Sequence, residues 1–468
     1  MAEIPEYRMY IGGEWVKSAS NRTTPNINPA NTDENLGFFQ KGTREETRQA
    51  IEAAKAAFPA WRSTPAPARG RIVQRVVEIV RARKEELARL MTLEEGKILR
   101  EARGEIEKGK NVLEFYAGEG FRIEGRTLPS EMPHTFTYTI RQPLGVVGLI
   151  TPWNFPWAIP CWKIAPAIVA GNTVVFKPAT LTPLTAVKLV EIFEEAGLPK
   201  GVLNMVTGSG GEVGDELVHH PDIEAISFTG STETGRALYT EAAKGLKRVS
   251  CEMGGKNPAI VMEDANLSQA VAGVVQGAFG STGQRCTATS RLILHRAIRD
   301  RFLEMLLAEV RKIKVGPGID ESSDMGPAVD EAQFNTDLEY IEIAQKEGAT
   351  LLCGGKRASG PGLEKGYFVE PTIFTDVTPG MRIAREEVFG PVLAVLTVDS
   401  FEEAIRVAND CDFGLKSALY TQDTTRAMRF IEETDVGMTH INSPTIGGEA
   451  QLPFGGIKNT GLGHREMA

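Results

Sequence analysis

The chain has 468 residues, of which 42% are hydrophobic, and a formal net charge of -9. That length and composition point to a globular protein with large cores and two or more domains. The acidic balance argues against a non-specific nucleic-acid binder, which needs a basic surface to displace counterions from phosphates. No run is both long and apolar enough to span a bilayer, and the segment Met1 to Arg8 lacks the basic-then-apolar pattern of a signal peptide, so no membrane partner and a cytoplasmic location are expected. Five scattered cysteines (161, 251, 286, 353 and 411) have no framework spacing and are expected to be reduced. Neither HExxH nor CxxC occurs, so no metal site is inferred.

Thr43, with Glu46 three positions on, reads as a capping box ahead of Ala50, Ile51, Ala54, Ala57 and Phe58 at helical spacing. Ile72, Val73, Val76, Val77, Ile79 and Val80 predict a second helix, and residues 85 to 122 one or two more. The period then changes. Thr135 to Ile140 alternates strictly, as a strand with one apolar face does, and its proline-containing flanks predict a projecting arm. An exposed strand needs a partner, which a neighbouring subunit can supply. From residue 145 short apolar runs alternate with amphipathic helices. Gly145 to Ile150, Thr173 to Phe176, Val202 to Val206, Ala225 to Phe228 and Arg248 to Cys251 read as strands, with helices notably at Pro183 to Ala196 and Thr232 to Ala243. This βαβ series predicts an α/β fold with a doubly wound parallel sheet. Ligands bind beyond the carboxyl ends of such strands, where Pro152 to Pro156, Lys177-Pro178 and Thr229-Gly230-Ser231 fall. A second α/β unit begins near Asn257 and runs to about residue 458.

Val206 to Gly214 follows a strand and opens a helix, but its glycines are spaced GxGxxxG, a weak phosphate-binding signal taken alone. Phe228 to Glu233 has a better physical basis: Gly230 allows close approach, and Ser231 with a helix N-terminus offers donors to a pyrophosphate. A tight turn with Ser231 or Thr232 as helix cap is about equally compatible with that segment. Neither a GxSxG elbow nor a P-loop occurs. A lone cysteine is usually a small buried hydrophobe, the reading given to Cys161, Cys251, Cys353 and Cys411. Cys286 differs, since Gly280, Gly283 and neighbouring threonines make no core stripe and Arg285 is placed to lower the thiol pKa. Glu252 reads either as an ordinary strand-end charge or, paired with Cys286, as a general base. Lys177 reads equally as a solvated strand terminus, and Asn154 as a turn former between prolines.

Seven motifs occur in order: PWNFP, FKPA followed by TPL, FTGSTETG, CEMGGKNP, GQRCTA, EEVFGPV and PFGGIKNTG. Together they resemble the NAD(P)-dependent aldehyde dehydrogenase superfamily over essentially the whole chain. The resemblance implies a cofactor-binding domain (1–122 and 143–251), a catalytic domain (252–458) and a small β oligomerisation arm (123–142 with the tail 459–468). It implies Cys286 as nucleophile, Glu252 as general base, and Asn154 with the Cys286 N–H as oxyanion donors. For the cofactor it implies Lys177 and Glu387 at the riboses, Ser231 at the pyrophosphate and Phe389 near the nicotinamide, with Ile150, Trp153, Thr180, Gly210, Thr229 and Gly230 around them. Trp162, Arg285 and Thr287 are implied at the substrate.

Many NAD-preferring relatives carry an acidic residue where this chain has Thr180, so NADP is expected to be accepted alongside NAD, and even preferred. Relatives usually continue past the last residue here through a final strand, which leaves a homodimer or a homotetramer open. CTATSRLILH after the nucleophile and INSPTIGG near the end are most similar to the branch oxidising 2-oxoglutarate semialdehyde (2,5-dioxopentanoate), and Arg285 is a candidate partner for a substrate carboxylate. Arg285 acting only on the thiol or on backbone is the plainer reading. Alternatives are a broad-specificity aldehyde dehydrogenase and, from another class, a catalytically silent structural or binding homologue.

Overall fold

Helices and short apolar strands alternate along the chain and assemble two large sheets. The structure, a computed structural model, describes residues 4–463 and 465. The opening segment's first three residues and positions 464 and 466–468 of the expected tail lie outside the described residues. The capping box forms: the Thr43 N–H donates to Glu46 Oε2 at 2.8 Å and starts the helix Arg44–Ser63. The helices Ala66–Ala82, Lys84–Glu95 and Leu99–Glu119 follow, each burying an apolar stripe.

The first sheet has eight strands, in the order Gly461–Leu462, Arg248–Glu252, Ile223–Thr229, Val146–Ile150, Thr173–Lys177, Leu203–Met205, Met9–Ile11 and Glu14–Val16. Its five central strands are parallel. Chain order reverses between Val146–Ile150 and Ile223–Thr229, so a crevice opens beyond their carboxyl ends. The second sheet, of seven strands, is parallel apart from its edge strand Thr350–Cys353 and holds Asn257–Val261 next to Thr289–His295 and Lys416–Tyr420. Only the four residues 253–256 separate Glu252, at the carboxyl end of the first sheet, from Asn257, at the amino end of the second. That short link brings the crevice of one sheet against the strand starts of the other.

The predicted arm is a hairpin of Thr127–Pro129 and Phe136–Tyr138 that pairs with neither large sheet. It leaves Phe136 and Tyr138 77% and 68% exposed. The tail, grouped with the arm from the sequence, places Gly461–Leu462 antiparallel on Arg248–Glu252 instead. No helix of the described residues is long and apolar enough to cross a membrane.

Candidate active site

Cys286 is set by a strained turn. The helix Leu267–Phe279 stops at Gly280, and Ser281, Thr282 and Gly283 then take left-handed φ values of 49°, 57° and 69°. Such a conformation costs about 1–3 kcal/mol at each non-glycine residue, so the surroundings must hold it. They do: the Ser281 N–H donates to Glu101 Oε1 at 2.7 Å, Thr282 Oγ1 to the Gly326 carbonyl at 3.1 Å, and the Val329 N–H to Gln284 Oε1 at 2.9 Å. Gly283 admits no side chain, since an added Cβ would lie 2.1 Å from the Gly390 carbonyl oxygen.

Asn154 is brought beside this turn. It is buried, and its Nδ2 donates one hydrogen bond to the Gln284 carbonyl at 3.0 Å, leaving a second N–H on the same amide. Its backbone is fixed by Lys97, whose Nζ donates to the Asn154 carbonyl at 2.7 Å and to Glu105 at 2.5 Å. Glu105 in turn accepts the Trp157 and Ala158 N–H groups at the start of the helix Ala158–Val169. Glu252 is buried at the end of its strand, within electrostatic reach of the thiol. The protein packed around the Cys286 thiol desolvates it and pushes its pKa up to about 12. The Glu387 and Glu252 carboxylates add to that rise, while the Lys416 and Lys108 ammonium groups oppose it.

Glu387 reaches this site through a glycine pair. It accepts the Gly255 N–H at 2.8 Å, and burial raises its pKa to about 7. A Cβ on Gly254 would lie 2.1 Å from Glu387 Oε2, and one on Gly255 2.5 Å from the Cys286 carbonyl oxygen. The glycines therefore let a carboxylate and the nucleophile's backbone close on one strip of chain. Phe389, itself left-handed at φ 62°, meets Trp153 edge to face with ring centroids 5.4 Å apart.

The remaining cofactor candidates line the carboxyl edge of the first sheet. Ile150 and Thr229 end neighbouring strands. The Gly230 N–H bonds to the Glu252 carbonyl at 3.1 Å, and Ser231 caps the helix Thr232–Lys244. Lys177 is buried, which lowers its pKa to about 8, and its Nζ donates to the Pro178 carbonyl at 3.2 Å. Thr180 donates to the Gly208 carbonyl at 3.2 Å, and a Cβ added to Gly210 or Gly211 would meet nothing within 4 Å. That open, donor-lined edge fits a dinucleotide: backbone N–H groups and two helix starts face the crevice, with a lysine and a glutamate beside it.

The substrate candidates separate. Trp162 is buried, with its ring 5.6 Å from that of Phe454, and the Thr287 carbonyl accepts the Thr445 hydroxyl at 2.7 Å. Arg285 is committed elsewhere: its guanidinium donates to Ser281 Oγ at 2.8 Å and pairs with Glu101 at 3.2 Å, on the wall of a cavity of about 890 Å³. Its charge is not among those that shift the thiol most. The cations that do so come from distant segments, Lys108 on the helix Leu99–Glu119 and Lys416 at the start of its strand. Sequence reading missed both, and it also missed Asn257, whose Nδ2 donates to the Cys286 carbonyl at 2.8 Å.

A cysteine held at the dinucleotide edge of a doubly wound sheet, with an amide and a carboxylate around it, defines a nicotinamide-dependent oxidoreductase that works through a covalent intermediate. Residues 15–468 match the aldehyde dehydrogenase family, and the chain belongs to that family. It is an NAD(P)-dependent aldehyde dehydrogenase. An alpha-ketoglutarate semialdehyde dehydrogenase of Haloferax volcanii is 45% identical over 96% of this chain and 93% of its own. A 2,5-dioxopentanoate dehydrogenase of Saccharolobus solfataricus is 47% identical over 96% of this chain and 94% of its own. The crystal structure of betaine aldehyde dehydrogenase from Staphylococcus aureus in complex with NAD+ superposes with a TM-score of 0.96 at 39% identity, covering 98% of this chain and 91% of that one.

Proposed function

We propose that this enzyme oxidises an acidic semialdehyde, with 2-oxoglutarate semialdehyde (2,5-dioxopentanoate) the first candidate, to the dicarboxylate. Two relatives above 40% identity carry that activity in their names. The observation that carries the reading is the convergence of the Cys286 thiol with the Asn154 amide and Glu252 at the seam of the two sheets.

Cys286 gives up its thiol proton to solvent, and its Sγ adds as thiolate to the aldehyde carbon. The oxyanion of the resulting thiohemiacetal is held by Asn154 Nδ2 and the Cys286 N–H; losing one such donor typically costs ~10²–10³ in rate. The nicotinamide, when bound, supplies acceptance of the hydride that leaves that carbon, so a thioester remains on Cys286. Glu252 takes a proton from water, the hydroxide adds to the thioester carbonyl, and the acid leaves as the Cys286 sulfur is released. Lys177 and Glu387 would hold the riboses and Ser231 the pyrophosphate, with Trp153 and Phe389 beside the nicotinamide. Ile150, Thr229, Gly230 and Gly210 supply the backbone edge.

NADP is accepted, because Thr180 presents a hydroxyl where a carboxylate would repel a 2′-phosphate. The exposed hairpin carrying Phe136 and Tyr138 supports a homo-oligomer, since an isolated two-stranded hairpin is marginal in water; light scattering that gives a monomer mass would remove that support. The decisive assay is reduced-nicotinamide formation from a panel of acidic, aliphatic and aromatic aldehydes with both cofactors. The acidic semialdehydes should give the highest kcat/KM, and a flat profile would favour broad specificity.

A further inference from the structure

We infer that Lys108, with Lys416 beside it, is the anchor for the substrate's distal carboxylate, and that this pair rather than Arg285 sets the preference for acidic aldehydes. The inference rests on the acidic-semialdehyde reading above and gives it a place in the fold.

The geometry is specific. Lys108 Nζ stands 4.9 Å from the centroid of the Trp162 ring and 6.0 Å from that of Phe454. Lys416 Nζ stands 5.5 Å from the same Phe454 ring and donates to the Gly447 carbonyl. A Cβ on Gly448 would be 3.8 Å from Lys108 Nζ, so the 447–448 loop closes over both ammonium groups. Cys286 and Phe155 pack against the cluster that contains Trp162 and Phe454. The two lysines thus look into the aromatic chamber that also holds the thiol.

Among the described residues neither lysine is paired with a carboxylate. Among the described residues Lys108 makes no hydrogen bond and no ion pair, and Lys416 makes no ion pair. Glu105, which lies near Lys108, already spends its oxygens on Lys97 and on the Trp157 and Ala158 N–H groups. Two like charges held together without a counter-ion are costly; burial, with the Lys108 ammonium adding to it, lowers the pKa of Lys416 to about 8. A carboxylate entering between them removes that cost and gains charge-assisted hydrogen bonds. In a chain of net charge -9, a cationic chamber also draws acidic substrates in from solution. Arg285 has no such surplus, because Glu101 already neutralises it.

The test compares 4-oxobutanoate with its neutral methyl ester in wild type, Lys108→Met, Lys108→Arg, Lys416→Met and Arg285→Met. Wild type should prefer the acid, and Lys108→Met should lower the acid-to-ester ratio of kcat/KM by ~10²-fold, mostly through the KM of the acid. Lys108→Arg should recover most of the ratio, Lys416→Met should lower it less, and Arg285→Met should change it least. An equal loss on acid and ester, which a role confined to the thiol or to packing gives, overturns the anchor, as does an unchanged ratio. A wild type that does not prefer the acid overturns the substrate reading itself, so the two failures are told apart. A measurement without variants guards against misfolding: glutarate should protect Cys286 from iodoacetamide in the wild-type enzyme and dimethyl glutarate should not. Equal protection by the two counts against the anchor.

Discussion

The buried side chain of Asn257 ties the candidate nucleophile to one of the chamber lysines. Its Nδ2 donates to the carbonyls of Cys286 at 2.8 Å and Ala288 at 2.9 Å, while its Oδ1 accepts the Lys416 N–H at 2.9 Å. Asn257 opens an inner strand of the second sheet, so the sheet itself sets the height of the cysteine in the crevice.

Asn257→Ala should cut kcat/KM by ~10²-fold, because a small misplacement of a reacting group costs about that much. Each buried group left unpaired should also cost about 1–3 kcal/mol of stability. Steady-state kinetics and thermal unfolding check both, and a variant within twofold of wild type in kcat/KM would show that Cys286 is positioned by something else.

Gly255→Ala places a Cβ where only 2.5 Å separates it from the Cys286 carbonyl oxygen. Backbone must move to admit it. The expected result is a fall in kcat of at least ~10²-fold, with cofactor affinity, read by fluorescence titration, less affected. Full activity in this variant would mean that the strip is not as tightly closed as the geometry says.

The pH dependence of Cys286 alkylation has a definite sign. A thiol whose pKa is pushed to about 12 is protonated at neutral pH, so its thiolate fraction rises roughly tenfold per pH unit below that value. Iodoacetamide inactivation of the cofactor-free enzyme should therefore keep accelerating from pH 6 through pH 9. Lys416→Met removes a cation that opposes the rise and should slow inactivation below about pH 8, where Lys416 is charged, with the difference from wild type shrinking above it. A plateau near pH 7 would contradict the electrostatic account.

Thr180→Glu puts a carboxylate beside the Gly208 carbonyl, where Thr180 now donates its hydroxyl. Like charges brought together cost several kcal/mol, so the KM for NADP should rise ~10²-fold while that for NAD moves little. Parallel shifts for both cofactors would place the 2′-phosphate elsewhere.

Much of the site was legible because its residues sit in compact motifs at strand ends, where a doubly wound sheet collects its ligands. The strands read at Thr173 and Arg248 and the capping box at Thr43 all form. What was not legible comes from residues far apart in sequence. Lys108 reads as one more polar position on an amphipathic helix, and Lys416 as a strand start, until folding stands both beside Phe454. Arg285 shows the converse. Adjacency along the chain put it next to Cys286, but the turn sends its guanidinium to Ser281 and Glu101. Asn257 carried no chemical signal of its own, since a strand-opening asparagine looks like a turn residue until its three hydrogen bonds are traced.

The most direct measurement is peptide mass spectrometry of Glu252→Gln after mixing with an acidic semialdehyde and oxidised cofactor. The account predicts one equivalent of reduced nicotinamide in a burst, then slow turnover, with the acyl group recovered on the peptide that contains Cys286. Unmodified Cys286 during continued turnover, or the acyl group on another cysteine, would contradict it.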